Sequence, residues 1–169
     1  MFAWVLSLMI AMQPNAPWRD TYESTAQAIA KVVAEEEPLF AGDLGREKTA
    51  AVLVSLAWFE STFDPHATGD HGRSHGLYQI QGKGELSDPV EATRAALALV
   101  RASFRVCRSR TMDERLGWYA AGGKDCERGL RESRHRLLKA KWLVKNHAPP
   151  PATVAVAEPE AAPAPAPAM

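Results

Sequence analysis

Apolar residues return at helical spacing along most of this chain, and the pattern predicts several helices joined by short polar breaks. Tyr22, Ala26, Ile29, Ala30 and Val33 form one stripe that ends before Pro38, and Asp20 with Glu23 reads as a capping box at its start. Ala50, Leu53, Val54, Ala57 and Trp58 form a second stripe over residues 46–61. Asp88-Pro89-Val90-Glu91 combines an Asp cap, Pro in the first turn and Glu at the third position; the helix it starts carries the core positions Ala95, Ala96, Leu99, Val100 and Phe104 and reaches about Cys107. Thr111 with Glu114 caps a short helix holding Leu116, Trp118 and Tyr119, which stops at Gly122-Gly123. A last helix over residues 125–145 buries Leu130, Leu137, Leu138 and Trp142 and turns a basic face outward. Short strand pairing fits only around residues 64–80, so the expected fold class is mainly α with one small loop or β segment.

The ends of the sequence behave differently. Residues 1–18 open with the apolar run 1–12, which is too short to cross a bilayer and lacks a basic leader and a small-x-small cleavage site. It reads either as an atypical export signal or as a helix docked on the core. Residues 148–169 are almost entirely Ala, Pro and Val with two Glu; such a tract buries too little apolar area to offset its ordering cost and is expected to be a disordered tail. One domain over residues 19–147 lies between.

Composition adds one fact that the zero formal net charge hides. Residues 1–93 carry 6 Lys and Arg against 13 Asp and Glu, whereas residues 94–147 carry 14 against 5. A basic half beside an acidic half suits a polyanion approached from one side, or simply lines the solvent faces of two helices. A nucleic-acid partner is not expected, because the basic helix has few aromatics along that face for stacking bases. Glu35, Glu36 and Glu37 sit where the helix dipole disfavours acids, and a solvated, frayed helix end is expected there.

Candidate chemistry is concentrated in residues 60–80, Glu-Ser-Thr-Phe-Asp-Pro-His-Ala-Thr-Gly-Asp-His-Gly-Arg-Ser-His-Gly-Leu-Tyr-Gln-Ile. Glu60 closes an apolar helix and faces a glycine-rich loop. Desolvation by Trp58 and Phe59, the negative end of the helix dipole and shielding by the loop should each raise its pKa, which suits a general acid. Gly72-Arg73-Ser74-His75-Gly76 fits the spacing of a hydrolase nucleophile elbow but lacks the strand before and the helix after. His66, His71 and His75 with Asp64 and Asp70 match no tight metal-ligand spacing, so no metal is expected. The loop instead suits a sugar groove: Gly69, Gly72 and Gly76 allow tight turns, Ser74 and Gln79 offer hydrogen bonds, and Tyr78 offers a flat face.

Glu-Ser-x-Phe-x-Pro followed by Gly-x-x-Gly-Leu-x-Gln-Ile resembles the active-site signature of soluble lytic transglycosylases and goose-type lysozymes, with weaker echoes at residues 88–99 and 118–122. The resemblance implies a lysozyme-like fold, bacterial cell-wall peptidoglycan as substrate, Glu60 as catalytic acid and base, and Ser61 and Gln79 near the sugar. It also implies that the Tyr119 hydroxyl holds the catalytic carboxyl. Two positions depart from the family: Ala92 and Ala120 stand where it often has Asn.

A retaining glycosidase normally uses two carboxyls. Asp64, Asp70 and Glu85 are the acids at hand, none with motif support, and the family's transglycosylases manage with one by using the sugar's own acetamido and 6-hydroxyl groups. The expected function is therefore a peptidoglycan lytic transglycosylase without metal or organic cofactor, acting in the periplasm or outside the cell. A hydrolytic lysozyme and a catalytically weak glycan-binding module are the alternatives. Cys107 and Cys126 flank a helical hairpin and are either a disulfide, worth about 3 kcal/mol and implying an oxidising compartment, or two buried thiols.

Overall fold

The computed structural model describes residues 1–81, 86 and 88–149, so Glu85 and nearly all of the Ala/Pro-rich tail lie outside the described residues. Six α-helices are described: α1 Phe2–Met12, α2 Tyr22–Glu35, α3 Gly45–Ser61, α4 Pro89–Val106, α5 Gly117–Ala120 and α6 Leu130–Asn146. Three two-residue strands, β1 Thr68–Gly69, β2 Ser74–His75 and β3 Ile80–Gln81, form an antiparallel sheet in the order β1-β2-β3. The mainly helical class with a small sheet is as the sequence pattern predicts. No described helix is long and apolar enough to cross a membrane.

The centre of the molecule is α3. Every residue from Thr49 to Ala57 is buried, so the helix is apolar all round, not striped, and its neighbours α1, α2 and α6 enclose it. Small residues make this enclosure possible: Ala50, Ala51, Ala57 and Ser55 let helices approach closely between the larger Leu53, Leu56 and Val54. The apolar run at the start of the chain is helix α1, with Trp4, Val5, Leu8 and Met9 buried against this core and the Trp4 indole donating to the His147 carbonyl at 2.9 Å.

Several local expectations change. The Asp20 capping box does not form: residues Arg19–Thr21 make a 3-10 turn that feeds α2, and the N-cap Thr21 makes no side-chain cap. The end of α2 is not frayed. Arg46 donates to the carbonyls of Val33, Ala34 and Glu36, while Glu35 and Glu36 pair with Arg94 and Arg101 of α4, so cations answer both the orphan carbonyls and the acids at the dipole's negative end. The Asp88 cap does form, accepting from the backbone N–H of Val90 at 2.7 Å. In the Thr111/Glu114 box, Glu114 accepts from the Thr111 N–H at 3.2 Å, but the box closes a 3-10 turn that is separate from α5. Helix α6 starts at Leu130, later than expected, and leaves Leu138 and Trp142 about half exposed; its buried positions are Ser133, Leu137, Ala140 and Leu143.

Cys107, at the end of α4, is bonded to Cys126, before α6, with Cα atoms 5.9 Å apart. Beside this bridge the backbones touch where glycine alone fits: a Cβ on Gly117 would lie 2.3 Å from the Cys126 carbonyl oxygen, and one on Gly129 would lie 2.1 Å from that of Gly117. Gly129→Ala is accordingly expected to cost about 1–3 kcal/mol through overpacking, seen as a lower urea midpoint at unchanged m-value. A variant as stable as the parent would mean that these segments separate freely.

Candidate active site

A cleft of about 880 Å³ opens between the small sheet, α4, α5 and α6, and Glu60 reaches it from the last turn of α3. The helix ends at Thr62 and Phe63, both left-handed, at φ 53° and 69°. Phe63, fully buried against the Tyr22 ring, and the Trp18 indole bonded to the Thr62 carbonyl hold this costly backbone in place. The acid is thereby set on a rigid helix end with its direction fixed.

Glu60 is only 17% exposed at the side chain, and it is not alone. Arg136 of α6 donates to its Oε1 from Nε at 3.1 Å and from Nη2 at 2.8 Å. Burial raises the carboxyl's pKa; Arg136, by charge and hydrogen bond, pulls it back, and the negative charge of Asp70 adds to the rise, so that the net shift is upward. The direction agrees with the expectation, but the cation opposing it gives no motif signal: Arg136 is one of many basic residues on α6 and lies 76 positions away.

Asp70 occupies the opposite electrostatic environment in the same cleft. Exposed at the turn between β1 and β2 with φ 51°, it receives Ser74 Oγ at 2.8 Å and Gln81 Nε2 at 3.0 Å on one oxygen, which holds its pKa below the usual carboxylate range. The cleft thus holds one carboxyl pushed toward the neutral acid and another held ionised, the division that acid and base roles require. Asp64 has a local task instead, accepting from the His66 N–H at 2.8 Å.

The remaining site candidates are redistributed. Ser61 is buried and its Oγ lies 2.9 Å from the Leu77 carbonyl and 3.0 Å from that of Ala57, which ties the loop to the helix end and keeps it from the cleft. Ser74 is 2% exposed and occupied by Asp70. Gly76 is buried at φ 71°, its N–H donated to the Ala67 carbonyl, so it shapes the loop. Gln79 lines the cleft, yet its amide donates to the Ala67 and Gly76 carbonyls and braces its own strained φ of 47°. Tyr78 offers no flat face: its ring is buried, its hydroxyl lies 3.4 Å from Thr93 Oγ1 and burial pushes its pKa up.

Tyr119 also departs from expectation. Its hydroxyl donates to the Tyr78 carbonyl at 3.0 Å, so it anchors the loop while Arg136 holds the carboxyl. It still feels the acid: burial first, then the Glu60 charge, raises its pKa well above the ordinary value. The aromatic face of the cleft is Trp118, and Ala95 and Leu99 of α4, expected in the core, supply apolar wall. Two buried serines place this wall: Ser133 Oγ accepts from the Leu116 N–H, and Ser103 Oγ accepts from the Tyr119 N–H. Among the described residues no three His, Cys, Asp or Glu side chains gather as a set able to hold a metal ion.

Compared with known proteins, the chain matches no family model, no curated protein and no solved structure.

Proposed function

We propose that this chain cleaves the glycan of peptidoglycan as a lytic transglycosylase, with Glu60 as its acid and base. The observation that carries the reading is the Glu60 carboxyl, shielded at a helix end, raised in pKa and facing a cleft of about 880 Å³ that also presents the Trp118 ring and a polar sheet edge. The resemblance of residues 60–80 to the transglycosylase signature supplies the substrate class.

In the first half of the reaction, protonated Glu60 gives its proton to the glycosidic oxygen as the bond to C1 of the MurNAc unit breaks. The sugar's acetamido oxygen closes on C1, and the Glu60 carboxylate then takes the proton of the 6-hydroxyl. That oxygen attacks C1, the acetamido bond opens, and a 1,6-anhydro end results. Such chemistry belongs outside the cytoplasm, in the periplasm or beyond the cell, and the Cys107–Cys126 bond fits an oxidising compartment.

Asp70 favours a second reading, a hydrolytic lysozyme. A carboxylate kept ionised across the cleft could take the proton of an attacking water, and the product would carry an ordinary reducing end. Mass spectrometry of soluble fragments from purified peptidoglycan separates the two, using the parent and Asp70→Asn. Anhydro ends, produced by both proteins, are the expected result. Reducing ends that disappear with Asp70→Asn would make the protein a lysozyme, and no fragments from the folded parent would leave a glycan-binding module.

A further inference from the structure

The pairing of Arg136 with Glu60 is one-sided. Both guanidinium donors, Nε and Nη2, fall on the same oxygen, Oε1, whereas Oε2 has no hydrogen-bond partner among the described residues. The arrangement is held by two further contacts and by burial. Ser55 Oγ donates to the Arg136 carbonyl at 2.8 Å, joining α6 to α3 just over one turn before Glu60. The guanidinium carbon lies 5.7 Å from the centre of the Phe59 ring, and the Arg136 side chain is only 11% exposed.

We infer that Arg136 divides the work between the two oxygens of the Glu60 carboxyl: it occupies Oε1 and leaves Oε2 as the oxygen that gives and takes the proton. An oxygen accepting two N–H bonds from a cation is a poor place for a proton, so the neutral acid carries its hydrogen on Oε2. When Oε2–H yields its proton to the glycosidic oxygen, the charge left on the carboxylate is met by a cation already in place, without solvent having to reorganise. The same cation weakens Oε2 as a base for the return step. Arg136 is therefore a positioning residue that favours the donating half of the cycle. This part rests on the reading of Glu60 as the acid; the division of the oxygens rests on geometry alone.

The charged and titratable groups facing Glu60 are Arg136 from α6, Asp70 from the turn between β1 and β2, and Tyr119 from α5. Removing Arg136 removes the pull downward and leaves burial and Asp70, both of which push upward.

The test is a carboxyl carbon-13 NMR titration of Glu60, assigned with Glu60→Gln, in the parent, Arg136→Gln and Arg136→Lys, alongside pH profiles of glycan cleavage. In Arg136→Gln the Glu60 midpoint is expected to move up, and the alkaline limb of activity to move up with it, while kcat falls about 10²-fold and more than KM rises. Arg136→Lys keeps the charge but not the two fixed donors, so its midpoint moves up less while kcat still falls. A midpoint that stays or drops in Arg136→Gln overturns the inference; where that variant does not fold, a midpoint at or below the parent's in Arg136→Lys does so. The titration needs no substrate. A parent that cleaves no glycan defeats the proposed function, and the midpoints still decide the pairing.

Discussion

Glu60→Gln is expected to lower glycan cleavage by about 10²–10⁴-fold, the usual contribution of a general acid, while the protein stays folded. The amide keeps an oxygen for Arg136 to bond, and it fills the same volume at the end of α3, so neither the packing nor the hydrogen bonds of the wall need change. What it loses is the transferable proton. The stability effect has a definite sign. The folded pKa of Glu60 lies above its unfolded value, so the carboxyl's contribution to stability is complete below the unfolded pKa and declines as pH rises through the folded one. The variant does not titrate there. Its stability relative to the parent should therefore rise as pH climbs from the unfolded glutamate value of about 4.3 through the folded pKa, checked by urea denaturation at several pH values. A variant that lost activity only because it unfolded would have a urea midpoint far below the parent's across the whole range.

The second large effect concerns the bridge. Replacing Cys107 and Cys126 together by Ala releases a loop spanning a separation of 19 residues and is expected to cost about 3 kcal/mol, seen as a fall of about 6–12 °C in Tm. Activity should fall as well, more than the residual folded fraction explains. The bridge pins the backbone at Cys126 against Gly117, the first residue of the short helix that carries Trp118 and Tyr119 into the cleft. Four residues of helix have little stability of their own. Adding reductant to the parent should reproduce the change; an unaltered Tm would mean that the bridge constrains nothing the fold does not already hold.

Long periodic segments were readable from the sequence because burial on one side of a helix leaves a spacing. The stripe of α2 and the Asp88-Pro89 start of α4 are of this kind. The placing of Glu60 at a helix end before a turning loop is readable for another reason: Pro65 and the glycines that follow it break the helical pattern just after the carboxyl. What escaped was long-range. Arg136 and Asp70 gain their importance from being opposite Glu60, a fact that no spacing encodes. Ser103 and Ser133 look like ordinary polar helix residues until the backbone N–H groups they satisfy are known. Tyr78, beside a glycine-rich loop, reads as an open aromatic face, and only the packing of the folded chain buries its ring and leaves Trp118 on the cleft. Helical spacing marks Leu138 and Trp142 as core, yet α6 packs along one face only and leaves both about half exposed, with the Lys139 ammonium 4.8 Å from the centre of the Trp142 ring.

The proposed role of Glu60 is to transfer the proton that breaks a glycosidic bond in peptidoglycan. Its most direct measurement is the rate at which soluble glycan fragments are released from purified peptidoglycan by the parent, by Glu60→Gln and by Glu60→Asp, each first shown to be folded. Release by the parent, near-complete loss with Gln and weak residual release with Asp, whose shortened carboxyl still carries a proton, is the predicted result. Equal release by the parent and Glu60→Gln would contradict it.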